Sequence, residues 1–346
     1  MLKIEAIRMV PPRCLSTDWT LLVSSIVCSS GSSGIATVDP TTLLRFLPLA
    51  ARVVCAALTW RGVQQALPTP SIALDCRGCG RSELGDPGDF SPSALVADVK
   101  SLVLANPLLH KPFVLVGHSM GGRVAMCYAE QHPEDVAALV IEDMDIQRRT
   151  VQSQPVQNFD WEKAIAFSRR QDTLNAVKEA FKSIGYPEHM YTKWIDDGRI
   201  CKDRLDEKSE KDVLLKEDEC GGGIWSNVNP AFRALCYRTI FDSDAGTDSW
   251  SAIARHFKQK QKSNSGAVYL MVAGLGTVCD EGSIEDMRRL MSGREGERSP
   301  LTVKVYAQAT HSIHNSAQDE FMADLNQIIS DANVLIKEKA GGGRKQ

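Results

Sequence analysis

The chain has 346 residues with a formal net charge of -3, and 43% of its side chains are hydrophobic. That length suits one large core carrying a sizeable insertion, and the near-neutral charge leaves no electrostatic footprint for a nucleic-acid partner. Ten cysteines scattered without paired spacing point to a reducing compartment with buried thiols rather than to a disulfide framework.

Residues 1–40 read as a leader, sparse in acids (Glu5, Asp18), carrying Lys3, Arg8 and Arg13, and serine-rich around Ser24 to Ser33. This composition suits an irregular leader or an organelle transit segment equally, and places the protein in the cytoplasm or an organelle interior rather than outside the cell. Thr20 to Val27 patterns as a strand. Leu43 to Trp60 is the most apolar stretch, but Arg45, Pro48 and Arg52 interrupt it, short of the ~18 apolar residues a membrane span requires.

From there the pattern alternates. Trp60 to Leu67 predicts a short helix, Ile72 to Asp75 a strand, Asp86 to Ser93 turns, and Ser93 to Val103 an amphipathic helix. Phe113 to Val116 has the apolar, β-rich composition of a strand buried on both faces. Gly117-His118-Ser119-Met120-Gly121 follows; then Gly122 to Gln131 predicts a helix with its stripe at Val124, Ala125, Tyr128 and Ala129, stopped by His132-Pro133. Ala137 to Ile141 is the next strand. This order predicts an α/β fold with a mostly parallel central sheet and helices on both faces, built from residues 41–146 and 257–338.

Between those two stretches the alternation stops. Residues 147–256 read as an inserted helical cap, with helices over Trp161 to Arg170 and Thr173 to Ile184 and turns at Gly185-Tyr186-Pro187 and Gly221-Gly222-Gly223. Lys202 to Glu219 mixes both charge signs and reads as a solvated segment. Trp161, Trp194, Trp225, Trp250, Phe159, Phe167, Phe181, Phe232, Tyr237 and Phe241 supply the insertion's own core, or an apolar wall facing Ser119. The core resumes with strands at Ala267 to Ala273 and Leu301 to Ala307, a helix over Glu281 to Met291 and a closing helix over Ala317 to Ile336, before a polar tail at 339–346.

A strand, G-x-S-x-G and a helix in succession form a turn that holds its serine in a strained, exposed conformation, and the flanking glycines are there because a Cβ would collide across the bend. This stretch resembles the α/β-hydrolase superfamily, in particular serine esterases with a G-H-S-M-G-G nucleophile elbow. Asp75-Cys76-Arg77-Gly78-Cys79-Gly80-Arg81-Ser82 is similar to that family's D-x-R-G-x-G-x-S loop, with Cys79 where histidine is usual, and Thr310-His311-Ser312-Ile313-His314 resembles its histidine loop. The resemblance implies the α/β-hydrolase fold, Ser119 as nucleophile, His311 as base ahead of His314, and the Met120 backbone N–H as one oxyanion donor, with Gly117, Gly121 and Gly122 shaping the elbow. The family's second donor comes from a loop after a His-Gly pair. This chain has none, and around the expected place, Ala50 to Val54, it reads Ala-Ala-Arg-Val-Val.

For the acid, the family's usual loop offers Thr277, which cannot orient an imidazole, and Asp280 further along it. A smaller esterase branch places the acid after the strand following the elbow helix, which here selects Asp143 from Glu142, Asp143 and Asp145. The implied activity is hydrolysis of a small-molecule ester or thioester through an acyl-enzyme, with no cofactor and no metal. Cys76-x-x-Cys79 has neither the helix that redox chemistry wants nor the second pair that zinc wants. The competing expectation is a catalytically weak or inactive relative that binds a small ligand or partner under its cap.

Overall fold

The computed structural model describes residues 46–51, 59–69, 71–79, 82–106, 109, 111–150, 159–196, 200–201, 223–226, 228–261, 267–292 and 299–342. The leader, the strand expected over Thr20 to Val27, and Lys202 to Glu219 lie outside them.

In chain order, β1 (Phe46–Ala51) precedes α1 (Arg61–Ala66), β2 (Leu74–Asp75) and α2 (Pro92–Ala105). The elbow region gives β3 (Phe113–Ser119), α3 (Met120–Gln131) and β4 (Val136–Glu142). Then come α4 (Trp161–Ile165), β5 (Arg170–Gln171), α5 (Leu174–Ile184), α6 (Glu188–Asp196), β6 (Ile200–Cys201), β7 (Ile224–Ser226), α7 (Pro230–Cys236) and α8 (Ala245–Gln261). The chain closes with β8 (Ala267–Ala273), α9 (Glu281–Met291), β9 (Leu301–Tyr306), α10 (Ile313–Ser316) and α11 (Gln318–Gly342).

Six strands form one parallel sheet in the order β2-β1-β3-β4-β8-β9. Phe113, Val114, Leu115 and Val116 are all 0% exposed, which requires cover on both faces and accounts for the unbroken apolar run. The chain runs outward one way from β1 to β2, then the other way from β3 to β9. The order therefore reverses between β1 and β3, and the crevice at the carboxyl ends of these two strands is the natural ligand site of such a sheet. Ser119 ends β3 there, in register with Ala51 of β1.

Helix starts follow local chemistry. Ser91 caps α2, accepting from the Ala94 N–H ahead of Pro92, and Thr173 caps α5 through the Ala176 N–H. Gly185 closes α5 at φ 102°, a left-handed conformation that glycine adopts without strain.

The segment between β4 and β8 departs from the all-helical expectation. The helix expected over Trp161 to Arg170 stops at Ile165, because Arg170 and Gln171 pair with Trp225 and Ile224 in a three-stranded antiparallel sheet, β5-β7-β6. Strands of two or three residues exist only through their partners, so no local period announces them. Phe181, Tyr186, Tyr191 and Trp194 build a second apolar cluster with Phe159, Trp161 and Phe167 packed against it. Phe232, Phe241 and Trp250 instead belong to the main core. The expected boundary at 256/257 falls inside α8, whose Trp250, Ile253, Ala254 and Phe257 are buried in that main core. At the C-terminus, α11 continues through residues 339–342, where a tail was expected.

Candidate active site

Ser119 stands at the β3–α3 junction with φ 55° and ψ -126°. A non-glycine residue at positive φ is strained, and such strain persists only where the surroundings enforce it. Here they do. A Cβ on Gly117 would lie 2.4 Å from the Gly121 carbonyl oxygen and 2.7 Å from the Gly122 Cα, so the turn closes only around glycine.

His311 follows β9 across the sheet end. Its Nε2 lies 2.9 Å from Ser119 Oγ, and its Nδ1 lies 2.6 Å from Asp143 Oδ2. Asp143 is fully buried while His311 keeps 22% of its side chain exposed, so the base faces the crevice and the carboxylate does not. Asp143 is the residue directly after β4 and also has a positive φ, 46°. Its amide donates to the Met271 carbonyl at 2.8 Å, and its Oδ1 accepts from the Ala273 N–H at 3.2 Å. One carboxylate oxygen is thus held by backbone, leaving the other for the imidazole. Burial and then the Asp143 charge push the pKa of the Cys279 thiol up.

The other carboxylates on these loops have different duties. Asp280 is exposed and caps α9, its Oδ1 accepting from the Ser283 N–H at 2.7 Å. Asp145 pairs with Arg149 at 2.8 Å and with the buried Arg123 at 3.3 Å. Ser119, His311 and Asp143 are therefore brought into one hydrogen-bonded chain, and Asp280 and Asp145 are tied elsewhere. Met120 opens α3, so its N–H is among those a helix leaves without an intrahelical partner. Of Ala50 to Val54, where a second oxyanion donor was expected, Ala50 and Ala51 end β1, and residues 52–54 lie outside the described residues. Cys76 and Cys79 are buried thiols, with burial first among the causes that push both up.

Behind this chain lies a polar layer that ties His314, the alternative base, to Glu142 rather than to Ser119. Glu142 accepts from the backbone N–H of His314 at 2.9 Å and lies 2.8 Å from its Nδ1 through either oxygen. Burial opposes a charge on Glu142, but His314 and then His118 outweigh it and hold the carboxyl at about 2. His118 Nε2 donates to the main-chain carbonyl of His311 at 2.8 Å. The sequence signal was adjacency: His118 and Glu142 each directly precede a residue of the Ser119–His311–Asp143 chain.

Comparison with known proteins agrees with this architecture. A family model described as alpha/beta hydrolase fold matches residues 56–187. The 2-succinyl-6-hydroxy-2,4-cyclohexadiene-1-carboxylate synthase of Enterobacter sp. is 41% identical over 85 residues, covering 24% of this chain and 31% of that protein. Lipase LipV of Mycobacterium tuberculosis is 41% identical over 87 residues, again 24% and 31%. The chain thus spans about a third of the length of these curated relatives. A thermophilic esterase from Thermogutta terrifontis superposes with a TM-score of 0.55 at 19% identity, over 84% of this chain and 91% of that one. The chain has the α/β-hydrolase fold, and its residues 56–187 are similar to that family's model. Its relatives include a synthase and a lipase by name, so the chemistry must be argued from the site rather than from the fold. Among the described residues no helix is long and apolar enough to cross a membrane.

Proposed function

We propose that the protein is a serine hydrolase that cleaves a carboxylic ester or thioester of a small molecule through an acyl-enzyme. The observation that carries this is the unbroken path from Ser119 Oγ through His311 to Asp143, at 2.9 and 2.6 Å. A serine hydroxyl is a weak nucleophile at neutral pH, and a base at hydrogen-bond distance removes its proton as it attacks. In this mechanism His311 Nε2 takes the Ser119 proton, and the oxygen attacks the acyl carbon. The resulting oxyanion accepts from the Met120 N–H, and His311 returns the proton to the leaving alcohol or thiol. Water repeats the sequence on the acyl-enzyme. Asp143 holds the imidazole with Nδ1 protonated, which keeps Nε2 free to act as base. The chemistry calls on no cofactor, and the segment between β4 and β8 is assigned the role of a cap over the crevice.

The absent His-Gly pair favours a second reading, a ligand- or partner-binding module with little turnover. One oxyanion donor contributes about 10² to 10³ in rate, so the expected hydrolysis is slow. A series of aryl esters of increasing acyl length, together with a fluorophosphonate probe, separates the two. Hydrolysis and labelling that both vanish in Ser119→Ala are expected. Turnover that survives Ser119→Ala removes the catalytic assignment, and an inert wild-type protein stabilised by ligands supports the binding module.

A further inference from the structure

Each member of the Ser119–His311–Asp143 chain has a close sequence neighbour in the polar layer behind it. His118 precedes Ser119, Glu142 precedes Asp143, and His314 lies three residues after His311. Successive strand residues point to opposite sides, so residues adjacent to Ser119 and Asp143 are directed away from the crevice and into the protein. His118 and Glu142 are paired in register across β3 and β4, which sets their side chains together. All three are sealed from solvent, at 0%, 0% and 1% exposure for His118, Glu142 and His314. Trp60 stacks on His314 at 4.3 Å between ring centroids, and Thr59 Oγ1 lies 2.8 Å from its Nε2.

We infer that His118, Glu142 and His314 form a buried hydrogen-bonded layer that positions the base of the proposed hydrolase, an inference that rests on the catalytic reading above. Its attachment points are main-chain atoms on either side of the base. His118 fixes the carbonyl of His311 itself, and Glu142 fixes the N–H of His314 as α10 begins. The loop that presents the imidazole is thereby tied to the ends of β3 and β4, the same strand ends that carry Ser119 and Asp143. Hydrogen bonds to a buried carboxylate are short and strong, so the layer sets three loops in one frame.

A metal ion is the competing occupant of two imidazoles and a carboxylate. Two ligand atoms on a tetrahedral zinc, with bonds of about 2.0–2.1 Å, stand roughly 3.3 Å apart. Glu142 and His314 approach to 2.8 Å through either carboxylate oxygen, a hydrogen-bond distance, and His118 Nε2 already serves the His311 carbonyl.

The test uses the full chain and four variants. His118→Gln retains a donor close to the Nε2 position. His118→Asn keeps an amide but cannot reach the His311 carbonyl, Glu142→Gln removes the carboxylate, and Thr59→Val trims the rim of the layer. A base displaced by about 1 Å loses on the order of 10² in rate. The expected result is a kcat loss of about that size in His118→Asn and Glu142→Gln, with KM unchanged and a smaller loss in Thr59→Val. His118→Gln should keep most of the wild-type kcat. The downfield proton NMR resonance of the His311 Nδ1–H, which needs no substrate, should weaken or shift in the same order. Wild-type kcat and resonance in folded His118→Asn and Glu142→Gln would overturn the inference while leaving the hydrolase assignment intact. Equal damage from His118→Gln and His118→Asn would also overturn it, as would one tightly bound zinc per chain that Glu142→Gln releases. Should the wild type prove inert towards esters, the catalytic reading fails and the resonance alone decides whether the layer orders His311. Should Glu142→Gln fail to fold, the His118 pair and Thr59→Val carry the comparison.

Discussion

At the scale of single residues, the candidate site turns on which carboxylate meets His311. Asp143 reaches it because its own strained backbone, φ 46°, turns the side chain along the sheet end while Ala273 and Met271 hold it. Asp280 faces Ser283 and stabilises a helix start. Replacing each by asparagine should separate the two roles. Asp143→Asn is expected to lower kcat by up to about 10⁴, because the imidazole loses its working tautomer, with little change in the fold. Asp280→Asn should leave kcat near wild type and change stability by no more than about 1 kcal/mol, since asparagine also caps helices well. Ester kinetics and thermal melting on both variants check this, and a kcat collapse in Asp280→Asn alone would move the acid to the later loop.

At the scale of elements, the β3–α3 turn is the most constrained piece of the chain. The Cβ of Gly117→Ala would meet backbone on two sides, and backbone cannot swing aside as a side-chain tip can. The expected outcome is a protein that retains its circular dichroism spectrum and loses fluorophosphonate labelling, because the turn opens and Ser119 leaves its position beside His311. Gly85→Ala is the control. Gly85 has a positive φ, 72°, and open space around its Cβ position, so the cost should be about 1 kcal/mol with labelling intact. Labelling that survives Gly117→Ala would show that the elbow tolerates more room than its geometry suggests.

At the scale of the whole molecule, two apolar clusters divide the described core. Phe181 is the hub of the smaller one, 0% exposed and in ring contact with Phe167, Tyr186, Tyr191 and Trp194. Truncating such a residue typically costs about 3–5 kcal/mol. Phe181→Ala should therefore raise hydrogen exchange across α5, α6 and β7 while the sheet and the labelling of Ser119 persist. A single cooperative loss of the whole fold, labelling included, would mean that the two clusters do not yield separately.

How much of this was legible depended on whether a feature is local. The strands at Phe113, Ala137 and Ala267 announce themselves because a strand buried on both faces must be apolar along its length, and the helix from Thr173 to the turn at Gly185 because each of these two residues satisfies its own helix end. The serine turn is equally local, since only glycine fits beside it. Three other features rest on contacts between residues far apart in sequence. The β5-β7-β6 sheet needs Gln171 and Ile224 to meet, the contact of Asp143 with His311, though the family resemblance already selects Asp143, needs β4 to end beside the loop of His311, and the His118–Glu142–His314 layer needs two adjacent strands in register with a helix from the end of the chain. Composition and periodicity record what each residue requires of its neighbours in sequence; which distant residue answers that requirement was decided only when the sheet closed.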